Sequence, residues 1–234
     1  MSRLYLYGIT RPREVPERLT EQGIFLLESE GRAAVVSELE EGPVEATRRN
    51  LLAHADVVEQ LHEDAVVLPA RFGYMLESRE EALELLALPE IEDLLERHKQ
   101  TCELTLKGTY EESVLAEVGA VLQPLREAYR AAPSVEAGIA LGEAVGEGLA
   151  DRRARDQALV LGELRPLVLE VLTSEPAGEF AAFNAALLVA RDGVEAVEKQ
   201  LEQLAARMSP PLHFKLVGPL PPYSFVRLQM PAVA

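Results

Sequence analysis

Tryptophan is absent and cysteine occurs once, at Cys102, in a chain of 234 residues. A lone thiol rules out an intrachain disulfide and any metal site built from several cysteines. The expected state of Cys102 is a buried free thiol. Aromatics make up only 5% of the chain, and they gather near the two ends and around Phe72-Gly73-Tyr74. Positive charge is scarce as well. The 23 Lys and Arg against 39 Asp and Glu leave a net charge of −16, which repels phosphate backbones and anionic bilayers and so argues against nucleic-acid and membrane binding. No apolar run approaches the roughly 18–20 residues needed to span a bilayer. The opening apolar stretch, Leu4 to Tyr7, is too short for a signal peptide, and a cytoplasmic location is expected.

What remains is an ordinary globular balance, 48% hydrophobic and 26% charged, enough for one large domain or two small ones. Leu4-Tyr5-Leu6-Tyr7-Gly8-Ile9 reads as a first strand. Ile24–Leu27 and Ala33–Val36 flank a stretch with hairpin-turn chemistry. Leu51, Leu52, Ala55, Val58 and Leu61 follow helical spacing, and Val66–Gly73 reads as a strand interrupted at Pro69. Two helical pieces follow, with Pro89 suited to the first turn of the second. A domain boundary is expected near His98 to Cys102, giving domains over residues 1–99 and 100–234.

The second half opens with an alternating strand around Leu104 and Leu106. Helices follow, and Ser134 to about Ser174 reads as one long helical segment that Pro166 should kink or split. Phe183–Ala190 reads as a buried strand, and Val194 to Met208 as an amphipathic helix. Leu212–Val217 and Ser224–Leu228 read as a terminal hairpin. Strand, helices, strand, helix, hairpin is a split βαβ order of the ferredoxin-like kind, with helices inserted over about residues 111–174. The fold class expected is α+β in two domains, the first a ferredoxin-like variant.

Candidate chemistry is sparse. His54 and His62 lie about two helical turns apart, too far to grip one metal ion, and are expected as partly exposed polar residues. His98 and His213 have no evident local partner. Glu90, Glu92, Asp93 and Glu96 have helical spacing and no tight glycine turn, so they read as a solvated face, not a calcium loop. Gly138, Gly142, Gly146 and Gly148 have no strand before them and no Gly-Lys-Ser/Thr after them, and small residues at every fourth position point to close helix packing in place of a phosphate loop. Arg152-Arg153-Ala154-Arg155 reads as an exposed helix face. Arg71, inside an apolar run, is read either as a staple paired with a carboxylate or as a fork offered to a partner. In the run Leu216 to Val226, Pro219, Pro221 and Pro222 cannot lie in a central ladder. They form a stiff connection that presents Tyr223 and Phe225.

Three segments carry a resemblance: Leu4-Tyr5-Leu6-Tyr7-Gly8-Ile9, Val67-Leu68-Pro69-Ala70-Arg71-Phe72-Gly73, and Gly218-Pro219-Leu220-Pro221-Pro222-Tyr223-Ser224-Phe225. Together they resemble the GvpF/GvpL family of gas vesicle accessory proteins over nearly the whole chain. Ala70 stands where a larger residue such as methionine is usual. The resemblance implies two α+β domains, the second ferredoxin-like, with no catalytic residue, cofactor or metal. It implies a gas vesicle protein that helps assemble the shell, with the small hydrophobic shell protein (GvpA-type) and other accessory proteins as partners. Arg71, Phe72, Pro219, Pro221, Pro222, Tyr223 and Phe225 are the candidate contact residues. The rival readings are a small ferredoxin-like enzyme with a histidine base and a general adaptor or chaperone unrelated to vesicles.

Overall fold

The computed structural model describes residues 3–39, 44–178, 180–208 and 212–228. The chain forms two compact units, one taking the chain up to Glu103 and again from Gly218, the other Leu104–Val217. The division expected between residues 99 and 100 therefore differs in two respects: the break falls after Glu103, and the chain from Gly218 returns to the first unit and does not complete the second.

In the first unit the elements are β1 (Arg3–Thr10), α1 (Glu17–Glu21), β2 (Ile24–Ser29), β3 (Arg32–Leu39), α2 (Arg48–His62), β4 (Val67–Pro69), β5 (Met75–Leu76), α3 (Arg79–Ala87) and α4 (Pro89–His98). The sheet order is β2-β3-β1-β4, with β5 pairing β1. Glu30 and Gly31 both have positive φ (48° and 76°), the geometry that matches a two-residue turn to the right-handed twist of its strands. Thr47 and Ser78 accept the Asn50 and Glu81 amides at the starts of α2 and α3, and Pro89 opens α4 where no amide is missed. Strand side chains alternate between the two faces. Leu4, Leu6, Val36 and Leu68 pack with Leu85, Leu86, Ile91 and Leu95 of α3 and α4. Val35 and Val67 pack with Val57, Val58 and Leu61 of α2 and with Leu19 of α1. Each such leucine or valine, fully buried, stabilises by about 1.5–3 kcal/mol.

An ion-pair clamp closes one end of this sheet. Arg11, just past β1, reaches Glu92 at 2.6 and 2.8 Å and Glu96 at 2.7 Å. Arg32 donates to Glu92 at 3.1 Å and to the Leu86 carbonyl. Of the four carboxylates expected as a solvated face, Glu92 and Glu96 thus serve as acceptors for two arginines. Hydrogen bonds from Arg11, then from Arg32, hold the Glu92 carboxyl down at about 2. A depressed folded pKa contributes stability that is present above the ordinary carboxylate range, near 4.3, and is lost as pH falls toward about 2. Thermal melts between pH 5 and pH 2 check this: Glu92→Gln is expected to flatten part of the acid-induced fall in Tm. Parallel wild-type and variant curves would remove the clamp from the account.

The second unit's elements are β6 (Thr101–Tyr110), α5 (Ser113–Val121), α6 (Gln123–Ala131), α7 (Val135–Leu164), β7 (Glu170–Ser174), β8 (Ala181–Ala190), α8 (Val194–Arg207) and β9 (Leu212–Leu220). Its sheet order is β7-β8-β6-β9. Counting strands within each unit, both sheets read second, third, first, fourth, the ferredoxin-like arrangement. Leu106, Phe183, Leu187 and Val189 of the sheet pack with Val160 and Leu164 of α7 and Val197, Leu201 and Leu204 of α8. Gly108 permits this packing, because a Cβ there would stand 2.6 Å from the Phe183 ring.

Four expectations are corrected here. The segment Ser134 to Ser174 is not helical throughout: α7 ends at Leu164, a 3₁₀ turn holds Pro166, and Glu170–Ser174 is a strand paired with β8. Proline removes the amide the helix needs, and Val171 and Thr173 favour a strand. The terminal hairpin is also absent. Strand β9 runs through Pro219, tolerated because β9 is an edge strand, whereas residues 223–225 form a turn. Close packing holds for Gly148, whose Cβ would meet Val118 at 2.8 Å, while Gly142 and Gly146 have nothing within 4 Å. Finally, Arg152 is half-buried, not solvated: it pairs with Asp156 and Glu117 and lies over the Tyr110 ring.

Candidate functional site

The loop between β4 and β5 carries Ala70-Arg71-Phe72-Gly73-Tyr74, and the strand beside it holds it in place. The Ala70 amide donates to the Tyr7 carbonyl at 2.9 Å, and the Leu6 amide donates to the Tyr74 carbonyl at 3.0 Å. A buried side-chain chain reinforces this. His54 Nε2 lies 3.2 Å from the Ala70 carbonyl, which can only accept, so Nε2 bears the proton. Nδ1 then accepts from the Tyr5 hydroxyl at 2.9 Å, and that hydroxyl accepts from the Gly73 amide at 3.1 Å. Burial lowers the His54 pKa, opposed in part by the Ala70 bond. Tyr7 stacks on the imidazole, with ring centres 5.5 Å apart, and Phe72 meets its edge at 5.8 Å. His54 thus belongs to the core and positions the loop.

The closing segment is fixed by different means. The Tyr223 amide donates to the Pro221 carbonyl, and the Phe225 and Val226 amides donate to that of Pro222. Ser224 donates its amide and its hydroxyl to the Glu103 carboxylate, at 2.7 and 2.8 Å. Glu103 is only 3% exposed, and its burial raises its pKa against the lowering effect of the two Ser224 bonds. Val226 joins the core beside Leu6 and Leu85, and Tyr223 packs at the margin of the α1/α2 face. The Tyr223 hydroxyl is buried without a hydrogen-bond partner among the described residues. Burial first, then the charges of Glu59 and Glu103, raise its pKa.

These two segments, about 150 residues apart in sequence, meet on the first unit. A cavity of about 400 Å³ is lined by Arg71, Phe72, Tyr223, Ser224, Val226 and Arg227 together with His54, Pro69 and Ala70. It adjoins a groove of about 510 Å³ that shares Arg71, Val226 and Arg227 and adds Leu6, Tyr74, Leu85 and Leu228. Of the candidate contact residues, Arg71, Phe72 and Tyr223 come together there. Pro219 is exposed on β9, Pro221 and Pro222 are buried, and Phe225 is half-buried; none of the four lines either cavity. Arg71 is exposed and has no carboxylate partner among the described residues, so the staple reading is corrected. The acidic helix is held by Arg11 and Arg32 instead.

Sequence reasoning missed Arg227, His54 and Glu103. Arg227 carried the same signal as Arg71, a cation within an apolar run. His54 and His62 are buried, correcting their expected exposure. His98 has a local partner after all in Thr101, and His213 sits 2.9 Å from Glu111. Among the described residues there is no cluster of three or more His, Cys, Asp or Glu able to hold a metal ion, and no helix is long and apolar enough to cross a membrane.

A family model described as gas vesicle synthesis protein GvpL/GvpF matches residues 3–227. The chain is 33% identical to gas vesicle protein F of Streptomyces sp. (strain CB03234), over 95% of this chain and 98% of that one. It is 27% identical to gas vesicle protein F of Nostoc sp., over 97% and 99%. The crystal structure of GvpF from Anabaena sp. PCC7120 superposes with a TM-score of 0.85 at 26% identity, covering 98% of this chain and all of that one. GvpF from Microcystis aeruginosa superposes at 0.78 and 22% identity, over 98% of this chain and all of that one, which speaks for the fold alone. With residues 3–227 matched, this chain belongs to the GvpL/GvpF family of gas vesicle proteins.

Proposed function

We propose that the protein assists assembly of the gas vesicle shell by binding the small hydrophobic shell protein and other accessory proteins, without catalysing a reaction. It acts in the cytoplasm and at the vesicle. The observation that carries this reading is the convergence of the central and closing segments on one groove, with Arg71, Phe72 and Tyr223 facing it together. Aromatic and arginine side chains on a fixed backbone are effective anchors, because little conformational freedom remains to be lost on binding. The surrounding hydrogen bonds immobilise both segments before any partner arrives. The net charge of −16 keeps a complex with an apolar subunit dispersed.

Co-purification of tagged protein with the shell protein tests the reading. The double variant Arg71→Glu, Tyr223→Ala is expected to retain at least about tenfold less shell protein, as loss of a pair of anchors predicts. Circular dichroism controls for folding. Undiminished retention by a folded variant would take this groove out of shell-protein binding.

A further inference from the structure

Arg71 and Arg227 line the same two cavities of the first unit, and both are exposed without an ion-pair partner among the described residues. Two such cations thus share one groove in a chain of net charge −16. Several other arginines, among them Arg3, Arg11, Arg18, Arg32 and Arg152, are held by carboxylates, whereas these two face one groove with none among the described residues. Glu90 and Asp93 line a smaller cavity beside Arg227 without forming an ion pair with it. We infer that the groove receives a peptide segment of a partner protein in which a carboxylate side chain stands next to an apolar one, the carboxylate held between the Arg71 and Arg227 guanidinium groups.

The chemistry of the walls selects this ligand. A guanidinium presents a planar fork that fits a carboxylate with two parallel N–H···O bonds. Phosphate sites add a nest of free backbone amides, and here several of the neighbouring amides are already spent. Ala70 donates to Tyr7, Gly73 to Tyr5, Tyr74 to Arg71, Ser224 to Glu103, and Phe225 and Val226 to Pro222. Tyr74, Leu85, Val226 and Leu228 give the rest of the groove an apolar wall, which rewards an apolar residue beside the acid. This inference rests on the proposed function only for which protein carries the segment.

The probes are two end-blocked pentapeptides, one alternating leucine with glutamate and one leucine with glutamine, titrated against the full chain by fluorescence anisotropy. The glutamate peptide is expected to bind at least about tenfold more tightly, with a preference that weakens as salt is raised. Arg71→Gln and Arg227→Gln should each erode the preference, and the double variant should abolish it while keeping the wild-type urea midpoint. Equal binding of the two peptides overturns the proposal, as does a folded double variant that keeps the preference. Inorganic phosphate that displaces the glutamate peptide at lower concentration than acetate does makes this a phosphate site and also overturns it. So does a dimer of the chain that dissociates in the double variant, since the occupant is then a second copy. Should the peptide results hold while the double variant still retains shell protein, the carboxylate site stands and the shell-protein reading of the groove fails.

Discussion

Gly8→Ala is expected to destabilise the first unit by about 3 kcal/mol, the upper part of the usual range for forcing extra volume into a packed interior. A Cβ at this position would lie 2.6 Å from the Leu68 carbonyl oxygen and 3.1 Å from a Val67 methyl. The first obstacle is backbone, so no rotamer change relieves it. Strand β4 would have to leave β1, where Gly8 stands opposite Pro69 and Ile9 opposite Leu68. Moving β4 displaces the Ala70–Tyr74 loop as well, because that loop hangs from Tyr7 and Leu6. Urea unfolding followed by circular dichroism measures the effect, and partner binding should fall with it. Gly142→Ala is the contrasting control. Nothing lies within 4 Å of its Cβ site on α7, so alanine should stabilise that helix by up to about 1 kcal/mol through its higher propensity. An unchanged midpoint for Gly8→Ala would mean that the two strands can separate at no cost, and that the glycine is incidental.

Gly8 also shows how far the sequence alone could be read. The pattern of Leu4 to Ile9 marks a strand, and the bracketing of Glu28–Arg32 marks a hairpin; both are local signals, and both elements form. Helices α2, α3, α4 and α8 are equally legible, because apolar side chains recur at their period. The tail was misread for a physical reason. Ser224-Phe225-Val226 is apolar and β-branched enough to suggest a strand, but the Phe225 and Val226 amides turn back to Pro222, and the Ser224 amide is claimed by Glu103, a partner that no short window of sequence reveals. Strand β7 was hidden in the same way, since a short segment after a long helix looks helical until its pairing with β8 is known. In the groove, Arg71, Phe72 and Tyr223 were legible as an arginine in an apolar run and as aromatics near prolines. Arg227 was not singled out, although it sits in an apolar run of the same kind. The likeness between the two sheets, expected only as a ferredoxin-like variant in the first domain, lies in shared strand order and not in any strict sequence repeat.

Glu103→Ala should free the closing segment, and the comparison with Glu103→Gln separates charge from hydrogen bonding. Alanine leaves the Ser224 amide and hydroxyl without their acceptors at a site where water has little access, a loss of about 2–3 kcal/mol. Glutamine keeps a carbonyl oxygen for the Ser224 amide, and its NH₂ group can donate to the hydroxyl, so it should be tolerated. The pH dependence follows from the direction of the shift. Burial raises the folded-state pKa of Glu103, so the folded protein keeps this proton to higher pH than the unfolded chain does. The ionised group therefore weighs against folding above its folded pKa, and that penalty disappears as pH falls into the ordinary carboxylate range. Wild type should accordingly gain on Glu103→Gln as pH drops from 7 toward 4, while Glu103→Ala stays below both. Hydrogen exchange at the Ser224, Phe225 and Val226 amides reads the local effect, expected to accelerate by at least about tenfold in the alanine variant. With the segment loosened, Tyr223 and Arg227 lose their fixed places and binding in the groove should weaken even though neither residue has changed. Exchange rates identical in the alanine variant and wild type would show that the prolines alone hold the segment, leaving Glu103 no part in shaping the groove.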